Sequence, residues 1–142
     1  MYARDILKRK GTGAVTIADD ELVATGVNIL SQKNIGALVV EHGGDLVGIL
    51  DERDVIRQLA TEGSRTLRQT VRQVMKQTVI TCGLDDEVKD LMATMTSRRI
   101  RHLPVVNDGV LMGIVSIGDL MKSRLEEVQT EHKVLRERLL AR

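Results

Sequence analysis

The chain has 142 residues, enough for one compact domain and too few for two of ordinary size. Apolar residues make up 42% and charged residues 29%, and 21 Lys and Arg against 20 Asp and Glu leave a net charge of +1, which argues against a general nucleic-acid binder. With one Tyr, no Phe and no Trp, binding of single strands by stacking bases on aromatic rings is close to excluded, and the core has to be built from Val, Ile, Leu, Met and Ala.

Residues 1–13 form a lead-in with no apolar segment of the signal-peptide kind, and no apolar run in the chain approaches the roughly 18–20 residues that span a bilayer. Residues 14–17 are a short β-rich run, and Asp19 and Asp20 are candidates to cap the helix that follows. Residues 37–40 read as a strand, His42-Gly43-Gly44-Asp45 as a turn, and 46–50 as a returning strand that leads directly into a helix. Residues 63–78 connect. Within them Val71 to Met75 takes the place before the second repeat that Arg4 to Leu7 takes before the first, and Arg65, Arg68 and Arg72 read as a solvated basic face.

The same string then recurs. Residues 79–82 are β-rich, Asp85 and Asp86 are cap candidates, and Val88, Leu91, Met92 and Met95 fall at i, i+3, i+4, i+7, an apolar helical stripe. Residues 104–106 form a strand, Asn107-Asp108-Gly109 a turn, and 111–115 the returning strand. Beyond them Met121, Leu125, Val128, His132, Leu135 and Leu139 recur at spacings 4-3-4-3-4, a seam for a helix about 28 Å long. A polar His132 in that seam suits a register-setting position in a homodimer.

Residues 35–54 and 100–119 match at eight of twenty positions at a constant offset of 65: Ile35/Ile100, Leu38/Leu103, Val40/Val105, Gly44/Gly109, Leu46/Leu111, Gly48/Gly113, Ile49/Ile114 and Asp54/Asp119. That extent of self-similarity implies an internal duplication. The fold class is α/β (α+β), two β-α-β-β-α repeats packed as a pseudo-twofold pair with an extended C-terminal helix. The expected boundaries are 1–62 for the first repeat with its lead-in, 63–78 for the connection, 79–124 for the second repeat, and 125–142 for a C-terminal arm.

Catalytic and metal chemistry find no support. There is no Gly-x-Gly-x-x-Gly and no P-loop motif, and no nucleophile–base arrangement is suggested. His42, His102, His132 and Cys82 lie too far apart for a zinc-ligand spacing. A lone Cys82 cannot form an internal disulfide, so a reducing compartment, the cytoplasm, is expected, and its place in a strand suits packing rather than reactivity.

The duplicated pattern, a hydrophobic-x-Thr run, an Asp-Asp helix start, Ile-Arg-His-Leu-Pro-Val-Val and Gly-Ile-Val-Ser-x-x-Asp-Leu, resembles a tandem pair of cystathionine-β-synthase (CBS) domains, a stand-alone Bateman module. The resemblance covers residues 4–125. It implies a regulatory, non-catalytic module that binds an adenosine-containing ligand between the repeats: AMP first, otherwise ADP, ATP, S-adenosylmethionine or NAD(H). An unidentified effector protein would read the bound state. The alternative is a dimerising adaptor that binds no ligand.

Residue by residue, the resemblance assigns ribose to Asp119 and phosphate to Ser116. Independently, Ser116 and Asp119 form a capping-box pattern at a helix start, whose unpaired N–H groups and positive dipole end suit a phosphate. Arg101 and His102 would reach the phosphates, and Thr16, Ile35, Gly36 and Ile114 would line the cleft. A weaker second site would use Thr81, Ile100 and Asp54. It carries Asp51 where Ser or Thr is expected, a carboxylate that repels phosphate, and Gly36 and Ala37 where Arg101 and His102 stand. One good site is therefore expected rather than two.

Overall fold

The computed structural model describes every residue except Thr12 and Arg142. In chain order the elements are α1 (Ala3–Lys10), β1 (Thr16–Ala18), α2 (Val23–Lys33), β2 (Ala37–His42), β3 (Asp45–Asp51), α3 (Glu52–Glu62), a 3₁₀ turn (Gly63–Arg68), α4 (Val71–Val74), α5 (Val88–Arg98), β4 (His102–Asn107), β5 (Val110–Ser116) and α6 (Ile117–Leu140). They divide into two compact units. One is Ala14–Ile80; the other joins Met1–Gly13 to Thr81–Arg142.

In the unit Ala14–Ile80, β1 runs parallel to β2 with Thr16 opposite Val39, and β2 runs antiparallel to β3 with Ala37 opposite Asp51. The β2–β3 turn places Gly43 and Gly44 at φ +57° and +88°, the double positive φ of a type I′ hairpin. Helices α2, α3 and α4 and the sheet enclose Ile17, Val23, Leu30, Leu38, Val40, Leu50, Val55 and Val71, an aliphatic core without a ring. Lys76 closes the far edge by exchanging two backbone hydrogen bonds with Ile49, at 3.1 and 2.9 Å.

The other unit repeats this plan around β4 and β5, paired from His102–Ser116 to Asn107–Val110. Its hairpin uses Asp108 (φ 49°) and Gly109 (φ 76°). Val88, Leu91, Met95, Leu103, Val105, Val115 and Leu120 fill its interior, so the stripe on α5 is a core stripe; Met92 is half-buried. The expected strand at 79–82 contracts to a single bridge, Cys82 parallel to Val105. The reason lies in Pro104. In the first repeat Val39 donates its N–H to the Val15 carbonyl at 3.1 Å. Pro104 stands at the matching position and has no N–H, so the ladder stops there.

Two expectations are corrected by the packing. Asp19, Asp20, Asp85 and Asp86 do not cap helices. The caps of α2 and α5 are Leu22 and Glu87, neither with a side-chain bond. Backbone carbonyls serve instead: Val23 donates to Gln69 at 2.9 Å and Val88 donates to Met1 at 3.0 Å. The lead-in, grouped by chain order with the first repeat, packs on the second. α1 buries Ala3, Ile6 and Leu7 in the unit holding β4 and β5, while α4 from the connection packs in the unit of the first repeat.

These lead-ins approach the sheets where there is no side chain to oppose them. A Cβ on Gly48 would lie 2.4 Å from the Met75 sulfur, and one on Gly113 would lie 2.7 Å from a Leu7 methyl. At the other end, α6 runs unbroken for 24 residues, about 36 Å. No helix among the described residues is long and apolar enough to cross a membrane.

Candidate functional site

Five of the eight residues expected in the main site belong to one unit, and the structure gathers them around the start of α6. His102 and Ser116 are opposite partners in the β4–β5 ladder, Ile114 precedes Ser116 on β5, and the Arg101 carbonyl accepts the Ile117 N–H at 2.8 Å. Ser116 caps α6: its hydroxyl accepts the Asp119 N–H at 3.1 Å, and Asp119 Oδ2 accepts the Ser116 N–H at 2.9 Å. The reciprocal pair fixes the first turn and aims the carboxylate back towards the strand. Arg101 is exposed and His102 half-buried.

Asp119 has a further partner. The Lys10 ammonium lies 2.8 Å from Oδ2 and 3.0 Å from the Ile114 carbonyl. Burial pushes the Asp119 carboxyl up, but the Lys10 ammonium and the Ser116 N–H outweigh it and hold the group below the usual carboxylate range. Asp119 is therefore an ionised hydrogen-bond acceptor at neutral pH. Lys10 was not legible as a partner of Asp119, because 109 residues of chain separate the two.

Thr16, Ile35 and Gly36 belong to the other unit. Thr16 is half-buried on β1, and Ile35 and Gly36 lie just before β2, where the Gly36 carbonyl accepts the Glu52 N–H at 3.0 Å. This contact repeats the Arg101–Ile117 contact at the offset of 65. Of the weaker set, Thr81 and Ile100 fall in the unit of the second repeat and Asp54 in that of the first.

Around Asp54 the chemistry differs. Asp51, 4% exposed, caps α3 and accepts the Arg53 N–H at 2.7 Å. Asp54 Oδ2 lies 3.5 Å from the Lys76 ammonium and accepts no hydrogen bond, and Oδ1 lies 3.6 Å from Arg57. Both repeats thus bring a lysine from the lead-in to the third residue of the helix after the returning strand. The two lysines are 66 apart where the repeat offset is 65, so alignment alone does not pair them.

Two other groups are settled by their surroundings. Asp19 is buried between β1 and the hairpin, with Oδ1 3.0 Å from His42 Nδ1 and Oδ2 2.9 Å from Arg72 Nε. The His42 hydrogen bond and Arg72 overcome burial and lower its carboxyl below the ordinary value. Cys82 is 7% exposed, and burial, helped by Asp86, pushes its thiol up to about 12, so at neutral pH it is a packed thiol and not a nucleophile.

A duplicated α/β unit of this kind, with a returning strand that leads directly into a helix in each copy, defines a tandem-repeat module. The chain belongs to the CBS domain family, whose model matches residues 3–61 and 71–126. The CBS domain-containing protein CBSX3, mitochondrial, of Arabidopsis thaliana is 35% identical over 136 residues; the alignment covers 89% of this chain and 66% of that protein's length. Among solved structures, the CBS-domain containing protein ATU1752 from Agrobacterium tumefaciens is 38% identical with a TM-score of 0.85, over 87% of this chain and 99% of that one. The CBS domain pair of protein MJ0100, solved in complex with 5′-methylthioadenosine and S-adenosyl-L-methionine, is 28% identical with a TM-score of 0.76, over 91% and 98%.

Proposed function

We propose that this chain is a non-catalytic regulatory module of the cytoplasm that binds an adenosine-containing ligand and signals the bound state to a partner protein. The observation that carries the reading is the Ser116–Asp119 cluster: an ionised, part-buried carboxylate held at the start of a long helix, next to a capping hydroxyl. In this reading Asp119 accepts hydrogen bonds from the ribose hydroxyls, and Ser116 with Arg101 and His102 takes the phosphate. Support comes from the MJ0100 pair, which holds adenosyl compounds in its crystal structure. AMP is the first candidate, then ADP, ATP, S-adenosylmethionine and NAD(H). A ligand of this kind acts through its different affinity for two arrangements of the protein.

A thermal-shift and calorimetric panel of those five compounds, with NADH standing for the last, tests the reading on the wild type and Asp119→Ala. At 100-fold over its dissociation constant a ligand stabilises by about 2.7 kcal/mol, a rise of roughly 5–11 °C at 2–4 °C per kcal/mol. Asp119→Ala abolishes the rise. A panel without any shift defeats the reading, and an unchanged shift in Asp119→Ala moves the ligand elsewhere. The same titration on Thr16→Val reads the contribution of the other unit.

Self-association through α6 is the second part of the proposal. Leu125 and Leu135 are each 58% exposed, and Val128, His132 and Leu139 lie on the same exposed stripe. With Leu125 and His132 at heptad position a and Val128 and Leu135 at d, Glu131 falls at g and Arg136 at the following e. In a parallel pair these two residues meet across the seam twice. An antiparallel pair would set g against g, where Glu131 can still meet Arg124 or Arg138, but also e against e, where Lys122, Gln129 and Arg136 bring only cations and an amide together. The partner that fits the stripe is a second copy of this chain, in parallel.

A further inference from the structure

The seam on α6 is apolar at every position but one. Met121, Leu125, Val128, Leu135 and Leu139 are all exposed, and His132 stands among them, exposed as well. A polar residue at one a position costs a coiled coil stability, and a seam of about two heptads has little to spare. His132 makes no hydrogen bond and no ion pair among the described residues, and neither does its neighbour Glu131. The acids nearer the body are all engaged: Asp119 by Lys10, Glu126 by Arg9, and Glu127 by the Met1 ammonium and Arg124. Glu131 is the next acid along the helix and the first without a cation.

One chain does not build a metal site from these two residues, and no group of three His, Cys, Asp or Glu side chains gathers among the described residues. Two parallel copies do better. A side chain at a enters a hole formed by four residues of the facing helix. For His132 these are Val128, Glu131, His132 and Leu135 of the second copy. The layer therefore brings two imidazoles and two carboxylates together between apolar layers of valine and leucine. With helix axes about 8–10 Å apart, imidazoles reaching inward from facing a positions can share one ion at Zn–N distances of about 2.0–2.1 Å. Two nitrogens and two carboxylate oxygens match the four-coordinate preference of Zn²⁺, and imidazole selects it over Mg²⁺ or Ca²⁺. Each carboxylate has two oxygens, so Glu131 can give one to the ion and the other to Arg136 of the second copy, which then orients the ligand.

We propose that two copies of α6 bind one zinc ion on their paired His132 and Glu131 side chains, and that zinc thereby controls dimerisation. The inference rests on the parallel α6 dimer and names what regulates it. In an antiparallel pair a positions face d positions, so the two His132 rings do not meet. The metal response therefore also reads the orientation of the helices.

The test is sedimentation equilibrium of the full chain in zinc chloride and in EDTA, with equilibrium dialysis to count bound zinc. The proteins are the wild type, His132→Leu and Glu131→Gln. Zinc should tighten the wild-type dimer at least tenfold, at one zinc per two chains. His132→Leu completes the apolar seam, so it should dimerise equally in both solutions and lose the bound zinc. Glu131→Gln should cut the zinc-induced tightening by more than threefold. A wild-type dimer equally tight in zinc and in EDTA overturns the proposal. So does a zinc response that survives in His132→Leu, one that is unchanged in Glu131→Gln, or a stoichiometry of one zinc per chain. If the wild type and His132→Leu are both monomers in both solutions, the α6 dimer itself fails and the zinc site with it, a result distinct from a dimer that ignores zinc.

Discussion

Gly48 offers a sharp test of how the lead-in from the connection is seated on its sheet. A Cβ added there would stand 2.4 Å from the Met75 sulfur, 3.0 Å from Met75 Cγ and 2.8 Å from the Lys76 carbonyl oxygen. The methionine can rotate away, but the carbonyl cannot, because it accepts the Ile49 N–H at 3.1 Å while Lys76 N–H donates back at 2.9 Å. Overpacking of this kind costs about 1–3 kcal/mol. If Lys76 retreats, each of the two hydrogen bonds forfeits about 1 kcal/mol more, against a gain of about 0.4–1 kcal/mol from the stiffer unfolded chain. With both hydrogen bonds lost the balance is a loss of about 2–4.5 kcal/mol for Gly48→Ala, or roughly 4–18 °C in Tm. Gly113→Ala is the control. Its new Cβ meets a Leu7 methyl at 2.7 Å and no backbone atom nearer than the Gly13 carbonyl at 3.5 Å, so a leucine rotation absorbs most of the clash. Its loss should stay near 1 kcal/mol. Urea unfolding of the two variants reads the difference directly, with Met75→Ala added to Gly48→Ala to recover the part of the cost that belongs to the sulfur. If Gly48→Ala is within about 0.5 kcal/mol of the wild type, or no less stable than Gly113→Ala, the close seating of Lys76 is wrong.

The other predictions concern charge and association. Asp19 has its carboxyl held below the ordinary value by His42 and Arg72, so it favours the fold above its unfolded pKa of about 3.9, and that contribution is lost as pH falls through the lower folded value. Urea midpoints measured from neutral to strongly acid pH should fall more steeply for the wild type than for Asp19→Asn; parallel acid limbs would contradict the assignment. For α6, Leu125→Asp combined with Leu135→Asp should convert a dimer to a monomer in sedimentation equilibrium. Glu131→Arg should weaken the dimer and Arg136→Glu added to it should restore it. Masses that do not respond to these changes exclude the seam as the contact.

The duplication, the strands and both hairpins were legible because their signals are local. Short continuous apolar runs bounded by turn residues mark the strands, and Gly43-Gly44 and Asp108-Gly109 supply the positive φ values that a tight hairpin needs. Helix starts were misplaced because the acceptors that satisfy them are distant. The N–H groups of Val23 and Val88 find the carbonyls of Gln69 and Met1, which no local pattern announces, and this left Asp19 free to pair with His42 and Arg72. Lys10 was invisible for the same reason: it reaches Asp119 across 109 residues of chain. The shortened strand at Cys82 is a different case. Its cause, Pro104, is plain in the sequence, but its effect depends on the register that sets it opposite the Ile80 carbonyl's expected place.

The two repeats also show how one structural requirement can be met with opposite consequences for a ligand. A helix start needs an oxygen acceptor near its first N–H groups, and Ser or Asp serves about equally well. Ser116 and Asp51 both do this, for α6 and α3. For folding the exchange is close to neutral; for an anion it is not. A phosphate about 5 Å from the Asp51 carboxylate meets about 3 kcal/mol of repulsion per unit charge at an effective dielectric of 20, while Ser116 offers a neutral hydroxyl. The cations follow the same division. Lys76 and Arg57 both pair with Asp54, beside the carboxylate of Asp51, whereas Arg9, Lys10 and Lys122 line a cavity whose one carboxylate is Asp119. If phosphate is part of the ligand, that asymmetry sets the stoichiometry of the titration at one per chain, and a second equivalent of equal affinity would mean that the charge at the helix cap does not decide binding.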